Sequence, residues 1–206
     1  LKKNNCRKVL FAGKVDRPNF AEMKLDLKGI FHISRIIKKS KLGDSALLKE
    51  IINIFRKEKI KTVNSTIFTP ELNLSKGIYT SLKPDKTSKI DIRKALNKLK
   101  KTNPLGHIQG AVSRNNQVIL EKKEGTRNLL KKIKKQKKIN SGVLVKFPKV
   151  KQDLRIDLPT VGLETIKDCK AAGLKGIVMK HKKNVFLDKN KSIKYANKHK
   201  IFILVK

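Results

Sequence analysis

The chain has 206 residues, of which 38% are hydrophobic, so it is long enough to build a packed core as one large domain or two small ones. Its 52 Lys and Arg residues against 16 Asp and Glu give a formal net charge of +36. Only eight of the 52 are Arg, Trp is absent and aromatic residues make up 5%. This composition argues against a specific nucleic-acid reader, which depends on Arg contacts and aromatic stacking. We interpret most of the charge as solvated lysine and keep a basic RNA-binding protein as an alternative.

Two further features concern compartment and chain ends. Cys6 and Cys169 stand far apart without a C-x-x-C motif, which is typical of reduced thiols in a cytosolic protein. No apolar run approaches the ~18 residues of a membrane span. The first residue is Leu and an apolar run follows almost at once, so we expect the natural chain to begin earlier.

The first half of the sequence predicts a strand, two helices and a strand. Residues 8–12, apolar from Val9 onward, predict a strand before the turn formers of GKVDRP. The second helix is the clearer one, with Asp44 or Ser45 placed to cap it. Its apolar face consists of Leu47, Leu48, Ile51, Ile52 and Phe55. A short strand is predicted near residues 60–63, and this order favours a doubly wound α/β half.

Two residues of GKVDRP are candidate ligand contacts. Gly13 and Arg17 follow the first predicted strand, and the carboxyl end of a strand is the usual ligand side of an α/β sheet.

Residues 67–86 carry Pro70, Gly77 and Pro84 without clear periodicity, so we predict a linker there. It separates a domain of residues 1–66 from a domain of residues 87–206. In the second domain Asn115-Asn116 predicts a hairpin turn, because Asn tolerates left-handed backbone. Helices are predicted at 91–101, 125–138, 164–172 and 192–198, and strands at 110–113, 117–122, 143–147, 174–179 and 201–205.

The segment of residues 142–162, GVLVKFPKVKQDLRIDLPTVG, carries the most chemistry. From residue 153 charged and apolar residues alternate, which predicts an extended strand with Asp153, Arg155 and Asp157 on one face. An extended strand places neighbouring members of this row roughly 7 Å apart. Two carboxylates on one face suit a divalent cation, or a metal ligand and a base. Arg155 suits a phosphate group. The same pattern also fits a salt-bridge ladder on a surface strand, and this alternative stays open.

Basic residues and a predicted helix start flank this row. Lys146, Lys149 and Lys151 precede it and suit further phosphate charge. Pro159 and Thr160 are predicted to open a helix whose N–H groups receive an anion.

A second acidic candidate is Glu124, which ends a hairpin strand before Gly125 and Thr126 lead into a helix. A simple helix cap explains this motif equally well. The sequence contains no P-loop, no nucleophile elbow and no His pair at metal spacing.

The run GVLVKFPKVKQDLRIDLPTVGLETI, with AAGLKGIVM and the closing IFILV, resembles the C-terminal catalytic domain of a pyrophosphatase family. This is the metal-dependent, two-domain UDP-2,3-diacylglucosamine pyrophosphatase family of Gram-negative bacteria, not the calcineurin-like type. GKVDRP, LGDSALL, IQGAV and EGT resemble its other landmarks in the same order. The resemblance implies an α/β fold with a truncated Rossmann-like N-terminal domain and a C-terminal mixed α/β catalytic domain.

The resemblance also implies an activity, which is hydrolysis of UDP-2,3-diacylglucosamine to UMP and 2,3-diacylglucosamine 1-phosphate in lipid A biosynthesis. Mg²⁺ or Mn²⁺ is the implied cofactor. We expect a cytoplasmic enzyme that touches the anionic inner-membrane surface peripherally and binds no specific nucleic acid; a homo-oligomer stays open. Arg127 stands where the family's EGTD motif has Asp, so an inactive, truncated member is a further alternative.

These considerations give a predicted site. Its catalytic residues are Asp153, Asp157 and Arg155, and its metal ligands are Asp153, Asp157 and Glu124. The predicted substrate-binding residues are Lys146, Lys151, Arg17, Gly13, Thr126, Thr160 and Gly162.

Overall fold

The computed structural model describes residues 1–13, 19–20, 22–42, 44–102, 108–134, 140–149 and 152–206. Arg17 and Lys151, two of the predicted substrate-binding residues, lie outside the described residues. The chain separates into two compact units. Unit 1 is Leu1–Phe68 with Asp153–Asp157, and unit 2 is Thr69–Gln152 with Leu158–Lys206. The domain limits drawn from the sequence stay a prediction.

Unit 1 contains a parallel pair of short strands and two helices. Its elements are a 3₁₀ helix at Lys2–Asn4, β1 (Lys8–Val9), α1 (Leu27–Ser40), α2 (Asp44–Lys57), β2 (Lys61–Thr62) and a 3₁₀ helix at Ser65–Ile67. The predicted order of strand, helices and strand is confirmed, although β1 is shorter than the apolar run that predicted it. Helix α1 begins after Asp26, whose carboxylate accepts the Gly29 N–H at 2.7 Å, and α1 packs on α2.

Unit 2 is built on a mixed sheet. Its elements are a 3₁₀ helix at Pro70–Leu72, β3 (Gly77–Ile78), α3 (Lys86–Thr102), β4 (Gly110–Arg114), β5 (Gln117–Leu120), α4 (Gly125–Lys134), β6 (Val143–Lys146), β7 (Thr160–Val161), α5 (Leu163–Ala171), β8 (Gly176–Met179), β9 (Val185–Phe186), α6 (Lys189–Lys198) and β10 (Phe202–Val205). Six strands form one sheet in the order β3-β10-β8-β6-β4-β5. Strands β6, β8 and β10 run parallel, and the other pairs in this sheet are antiparallel. The predicted mixed α/β class is confirmed.

Helices cover both faces of the sheet. Helix α3 packs its apolar face, with Ile92, Ala95 and Leu99, on one side, and α4, α5 and α6 pack on the other. The four residues of β8 are all buried, as expected for a central parallel strand that is covered on both faces. A small second sheet pairs β7 with β9 in parallel.

Residues 69–86 of the segment predicted to be a linker belong to unit 2, and residues 67–68 belong to unit 1. Residues Gly77–Ile78 form β3, the edge strand that pairs antiparallel with β10. Leu74, three residues earlier, is buried in the main core.

The predicted hairpin turn is confirmed between β4 and β5. Asn115 and Asn116 both have positive φ values, 49° and 68°. Two left-handed central residues define the turn that matches the twist of two antiparallel strands. Within the described ranges, no helix is both long and apolar enough to cross a membrane.

Candidate functional site

A cavity of about 310 Å³ opens in unit 2 beside the carboxyl end of β6. The start of α4, the start of α5 and the residue before β4 form its walls. The carboxyl ends of parallel strands are where α/β sheets usually bind ligands. The lining residues are Gln109, Glu124, Gly125, Thr126, Arg127, Leu130, Lys146, Glu164, Thr165 and Asp168.

A buried hydrogen bond fixes the start of α4. The Thr126 hydroxyl donates to the Glu121 carboxylate at 2.5 Å, and both side chains are buried. A Cβ atom at position 110 would lie 2.6 Å from a Glu121 carboxylate oxygen, so Gly110 leaves the space that this carboxylate fills. Thr126 thereby ties the start of α4 to Glu121, the residue directly after β5. The first N–H groups of a helix lack intrahelical acceptors, and in α4 this end lines the cavity.

Lys146 is the deepest cation of the cavity. Its side chain is only 9% exposed, and its Nζ donates to the Thr160 carbonyl oxygen at 3.0 Å. Lys146 and Thr160, both predicted to bind substrate, are thus neighbours. A largely desolvated ammonium beside a helix N-terminus makes this part of the cavity suitable for an anion.

Helix α5 contributes two carboxylates to the same cavity. Glu164 and Asp168 are four residues apart, the spacing that puts them on one helical face. Glu164 Oε1 lies 2.7 Å from Lys167 Nζ, and this ion pair lowers the pKa of Glu164. Asp168 Oδ2 lies 3.9 Å from Arg127 Nε. Arg127, at the position where an acidic residue was expected, therefore faces a carboxylate across the cavity wall.

The predicted strand over residues 153–158 is wrong. The segment is a turn in which the Asp153 carbonyl oxygen accepts the N–H groups of Ile156 and Asp157 at 3.2 Å and 3.0 Å. The Asp153 side chain also accepts the backbone N–H of Arg155 at 3.1 Å. Asp side chains stabilise turns by accepting such backbone N–H groups. These hydrogen bonds compete with strand pairing, and an alternation of charged and apolar residues does not reveal them.

The same turn pairs Asp153 with Arg155. The guanidinium donates to both carboxylate oxygens, from Nε at 2.9 Å and from an Nη atom at 2.5 Å. These hydrogen bonds are the main cause that lowers the pKa of Asp153, and they raise the pKa of Arg155. Asp153 is therefore an ionised group already engaged by a cation. Asp157 follows at the end of this turn, where its backbone N–H donates to the Asp153 carbonyl oxygen.

The helix predicted to open at residues 159–160 begins later. Thr160 lies in β7, its hydroxyl donates to the Leu158 carbonyl oxygen at 3.1 Å, and α5 starts only after Gly162. The cause is strand pairing between β7 and β9, which no local pattern indicates. Gly162 is the N-cap of α5 with extended backbone, and a Cβ there would lie 3.3 Å from the Leu187 side chain.

Other predicted residues lie elsewhere. Gly13, in unit 1, has a φ of +95° at a bend and is exposed, with open space around its Cβ position. Cys6 and Cys169 are both free thiols, and burial raises the pKa of Cys169. Cys169 is thus a core residue, in line with its interpretation as an inert thiol.

The donor set for a metal is partly in place. Carboxylate oxygens suit Mg²⁺ and Mn²⁺, and Glu124, Glu164 and Asp168 supply them to the cavity. Across the part of the chain that the structure describes, no three acidic, His or Cys side chains converge into a ready cluster. This still fits Mg²⁺, which usually binds through one or two carboxylates together with waters and substrate phosphates.

The sequence analysis missed several cavity residues. Glu164, Thr165 and Asp168 had a weak signal, since polar residues four apart mark one face of a predicted helix. Gln109 had no sequence signal. It precedes β4, and its carbonyl oxygen accepts the N–H of Phe147, the residue after β6, at 2.9 Å. Pairing between distant parts of the chain therefore brings it to the cavity.

Comparison with known proteins adds to this geometry. The family model described as the LpxI C-terminal domain matches residues 75–204, and the model of the LpxI N-terminal domain matches residues 1–72. The chain belongs to the LpxI family. A relative is the UDP-2,3-diacylglucosamine pyrophosphatase LpxI of Caulobacter vibrioides, 32% identical over 212 residues that span 99% of this chain and 76% of that protein. The family resemblance of the QDLRIDLP and EGT motifs is thereby confirmed, as is the two-domain LpxI architecture.

Proposed function

We propose that this LpxI-family chain hydrolyses the pyrophosphate bond of UDP-2,3-diacylglucosamine to UMP and 2,3-diacylglucosamine 1-phosphate in lipid A biosynthesis. The observation that carries the proposal is the family membership along almost the whole chain, with a relative named for this activity. The cavity in unit 2 supports it, because a buried cation and a helix N-terminus suit a phosphate group.

Within the cavity, the binding role falls to Lys146, Arg127 and the first turn of α4. Two phosphoryl groups bring several negative charges, and the charge on the leaving phosphate grows during hydrolysis. Fixed donors that are already oriented stabilise such charge without reorganising at the moment of reaction. Thr126 holds the first turn of α4 in place through Glu121.

Proton handling falls to carboxylates. Asp153 is ionised and paired with Arg155, which makes it a poor proton donor. Which of the two Asp residues is the ligand and which the base was left open by the sequence, and we propose Asp157 as the base that accepts the proton of the attacking water. Each role is open to test by exchanging a single carboxyl group for an amide.

The proposed cofactor is Mg²⁺ or Mn²⁺. The candidate ligands are Asp153 and Asp157 in unit 1 and Glu124 in unit 2, and an Asp157 that acts as the base is not also a ligand. When bound, such an ion supplies positive charge and lowers the pKa of the attacking water. Because Arg155 engages both oxygens of Asp153, that carboxylate would have to exchange a partner to bind a metal.

We further propose that the protein acts in the cytoplasm at the inner-membrane surface, where a diacylated substrate resides. Its +36 charge favours anionic headgroups, at about 1 kcal/mol for each basic residue near the surface.

A turnover assay with matched variants tests the proposal. We expect Lys146→Met to slow UMP release by about 10²-fold or more, because a charge donor to the phosphates is lost. Asp157→Asn is expected to be slower still, whereas the exposed Lys132→Met, on α4 but outside the cavity lining, is expected to keep the full rate. EDTA is expected to abolish turnover. Full activity in Lys146→Met, Asp153→Asn and Asp157→Asn together would overturn the site assignment.

A further inference from the structure

Helix α1 in unit 1 carries a broad apolar side. Ile33, Ile36 and Ile37, in its middle and last turns, are half-buried. Leu27, Ile30 and Phe31, toward its start, have exposed fractions of 87%, 59% and 73%. Residues at positions i, i+3 and i+4 are neighbours on a helix, so these three form one patch. We call it the outer apolar face.

The outer apolar face is not explained by packing. None of the residues of α1 is fully buried, and the three residues of the outer apolar face are each more than half exposed. Elsewhere this chain fills solvated helix faces with Lys. Single exposed apolar residues are ordinary, but a cluster of large ones next to each other marks a binding surface.

The surroundings of the face are basic. Residues 22–42 contain six Lys and Arg and two acidic residues, Glu22 and Asp26. Two of the cations form ion pairs, Lys28 with Glu58 at 2.9 Å and Arg35 with Glu50 at 2.7 Å. The other four are Lys24, Lys38, Lys39 and Lys41. Asp26 is occupied as the N-cap of α1, and Glu22 accepts a hydrogen bond from Asn19. Along the helix the same exposed side continues with Ser34 and Lys38, so it is apolar in its first turn and basic in its last.

We propose that the outer apolar face inserts into the headgroup region of an anionic lipid bilayer. An apolar helix face beside a cluster of Lys and Arg is the pattern of interfacial membrane binding. A second copy of this chain is disfavoured as the occupant, because each copy carries a formal charge of +36. The inference rests on the proposed function only in that a lipid substrate makes a membrane the natural partner.

The first test uses the absence of Trp from the chain, since an introduced indole is then the only one. Phe31→Trp places it on the outer apolar face, and Phe68→Trp places it at a control position in the same unit that is 62% exposed. With vesicles of phosphatidylcholine and phosphatidylglycerol, we expect a blue-shifted emission and quenching by brominated acyl chains for Phe31→Trp. Phe68→Trp is expected to show neither effect.

The second test measures binding by cosedimentation with the same vesicles. We expect Leu27→Ser with Phe31→Ser to lower the partition coefficient by about tenfold or more, because two inserted side chains are lost. Ile67→Ser with Phe68→Ser removes a comparably exposed apolar pair and is expected to leave binding unchanged. Circular dichroism checks that both variants fold, and pure phosphatidylcholine vesicles are expected to bind the wild type weakly.

Three results would overturn the inference. The first is an unshifted Phe31→Trp emission with anionic vesicles, and the second is an equal loss of binding in both double variants. The third is an emission shift that appears without lipid as the protein concentration rises, which would indicate a second copy. Substrate dispersed in detergent separates this inference from the proposed function. The Leu27→Ser, Phe31→Ser variant is expected to keep wild-type turnover there, and vesicle binding without any turnover would refute the activity alone.

Discussion

At the scale of single residues, the ion pair with Arg155 determines the charge and the orientation of the Asp153 carboxylate. Arg155 donates to both carboxylate oxygens, and the pKa of Asp153 is lowered mainly for that reason. The carboxylate is therefore ionised at neutral pH and held in one orientation. Asp157, four residues after Asp153, donates its backbone N–H to the Asp153 carbonyl oxygen in the same turn, and we propose it for the proton-accepting role.

This pairing makes stability depend on pH in a defined direction. A carboxyl group with a lowered pKa stabilises the fold above its unfolded pKa, about 3.9 for Asp, and this contribution is lost as the pH falls through the folded pKa. Arg155→Gln is thus expected to lose about 0.2–1 kcal/mol at neutral pH, since the guanidinium is half exposed. At a second, acidic pH that approaches the folded pKa, the difference from the wild type is expected to shrink.

Urea denaturation at both pH values measures this effect, with Arg93→Gln on an exposed position of α3 as the control. A difference between wild type and Arg155→Gln that stays the same at low pH would contradict the assigned cause.

At the scale of elements, the β4–β5 hairpin depends on its two left-handed residues. Asn116 has a φ of 68°, and a β-branched residue is strained in that conformation. We expect Asn116→Val to lower the free energy of unfolding by ~1–2 kcal/mol. Gln117→Val, one position later in strand β5, is expected to be neutral because strands accommodate Val well. Equal stability of the two variants in thermal denaturation would contradict this account of the turn.

Elements with a strong local signal were predicted from the sequence. Helix α2 followed from apolar residues at helical spacing, and the hairpin followed from Asn115-Asn116, because both depend on neighbouring residues. Strands β6, β8 and β10 are short apolar runs that are buried on both faces of a sheet. The QDLRIDLP and EGT motifs gave the family.

What the sequence did not predict depends on partners that are distant in the chain or on side-chain competition. Strand β3 has only two residues and exists through its pairing with β10. The alternating pattern after Asp153 was interpreted as a strand, but the Asp153 side chain and Arg155 close a turn instead. The cavity in unit 2 combines α4, α5 and β6, so Glu164, Asp168 and Gln109 were not recognised as its lining residues.

At the scale of the whole molecule, the +36 charge has two interpretations with different salt dependence. If it is mostly solvated lysine, RNA binding is weak, indifferent to sequence and lost near physiological salt. A dedicated RNA-binding protein would instead keep nanomolar to micromolar affinity there. Fluorescence anisotropy with two unrelated RNA sequences over a salt series separates the two. We expect the first result, and tight binding that prefers one sequence would contradict it.

Because Arg127 stands where the family has Asp, the competing hypothesis is that this chain is an inactive family member. Arg127 lies beside Asp168 in the cavity, where it is able to bind a phosphate or to displace a function of the expected acid. Comparing wild type with Arg127→Asp distinguishes these roles. Activity in the wild type that falls in Arg127→Asp would assign the Arg to substrate binding, and activity in the variant alone would support the inactive-member account.

The most direct test is to incubate the purified chain with UDP-2,3-diacylglucosamine and Mg²⁺ or Mn²⁺ and to identify the products by mass spectrometry. We predict UMP and 2,3-diacylglucosamine 1-phosphate in equal amounts, with no release after EDTA treatment and recovery when the ion is restored. Failure of the folded wild-type chain to release UMP under any of these conditions would contradict the proposed function.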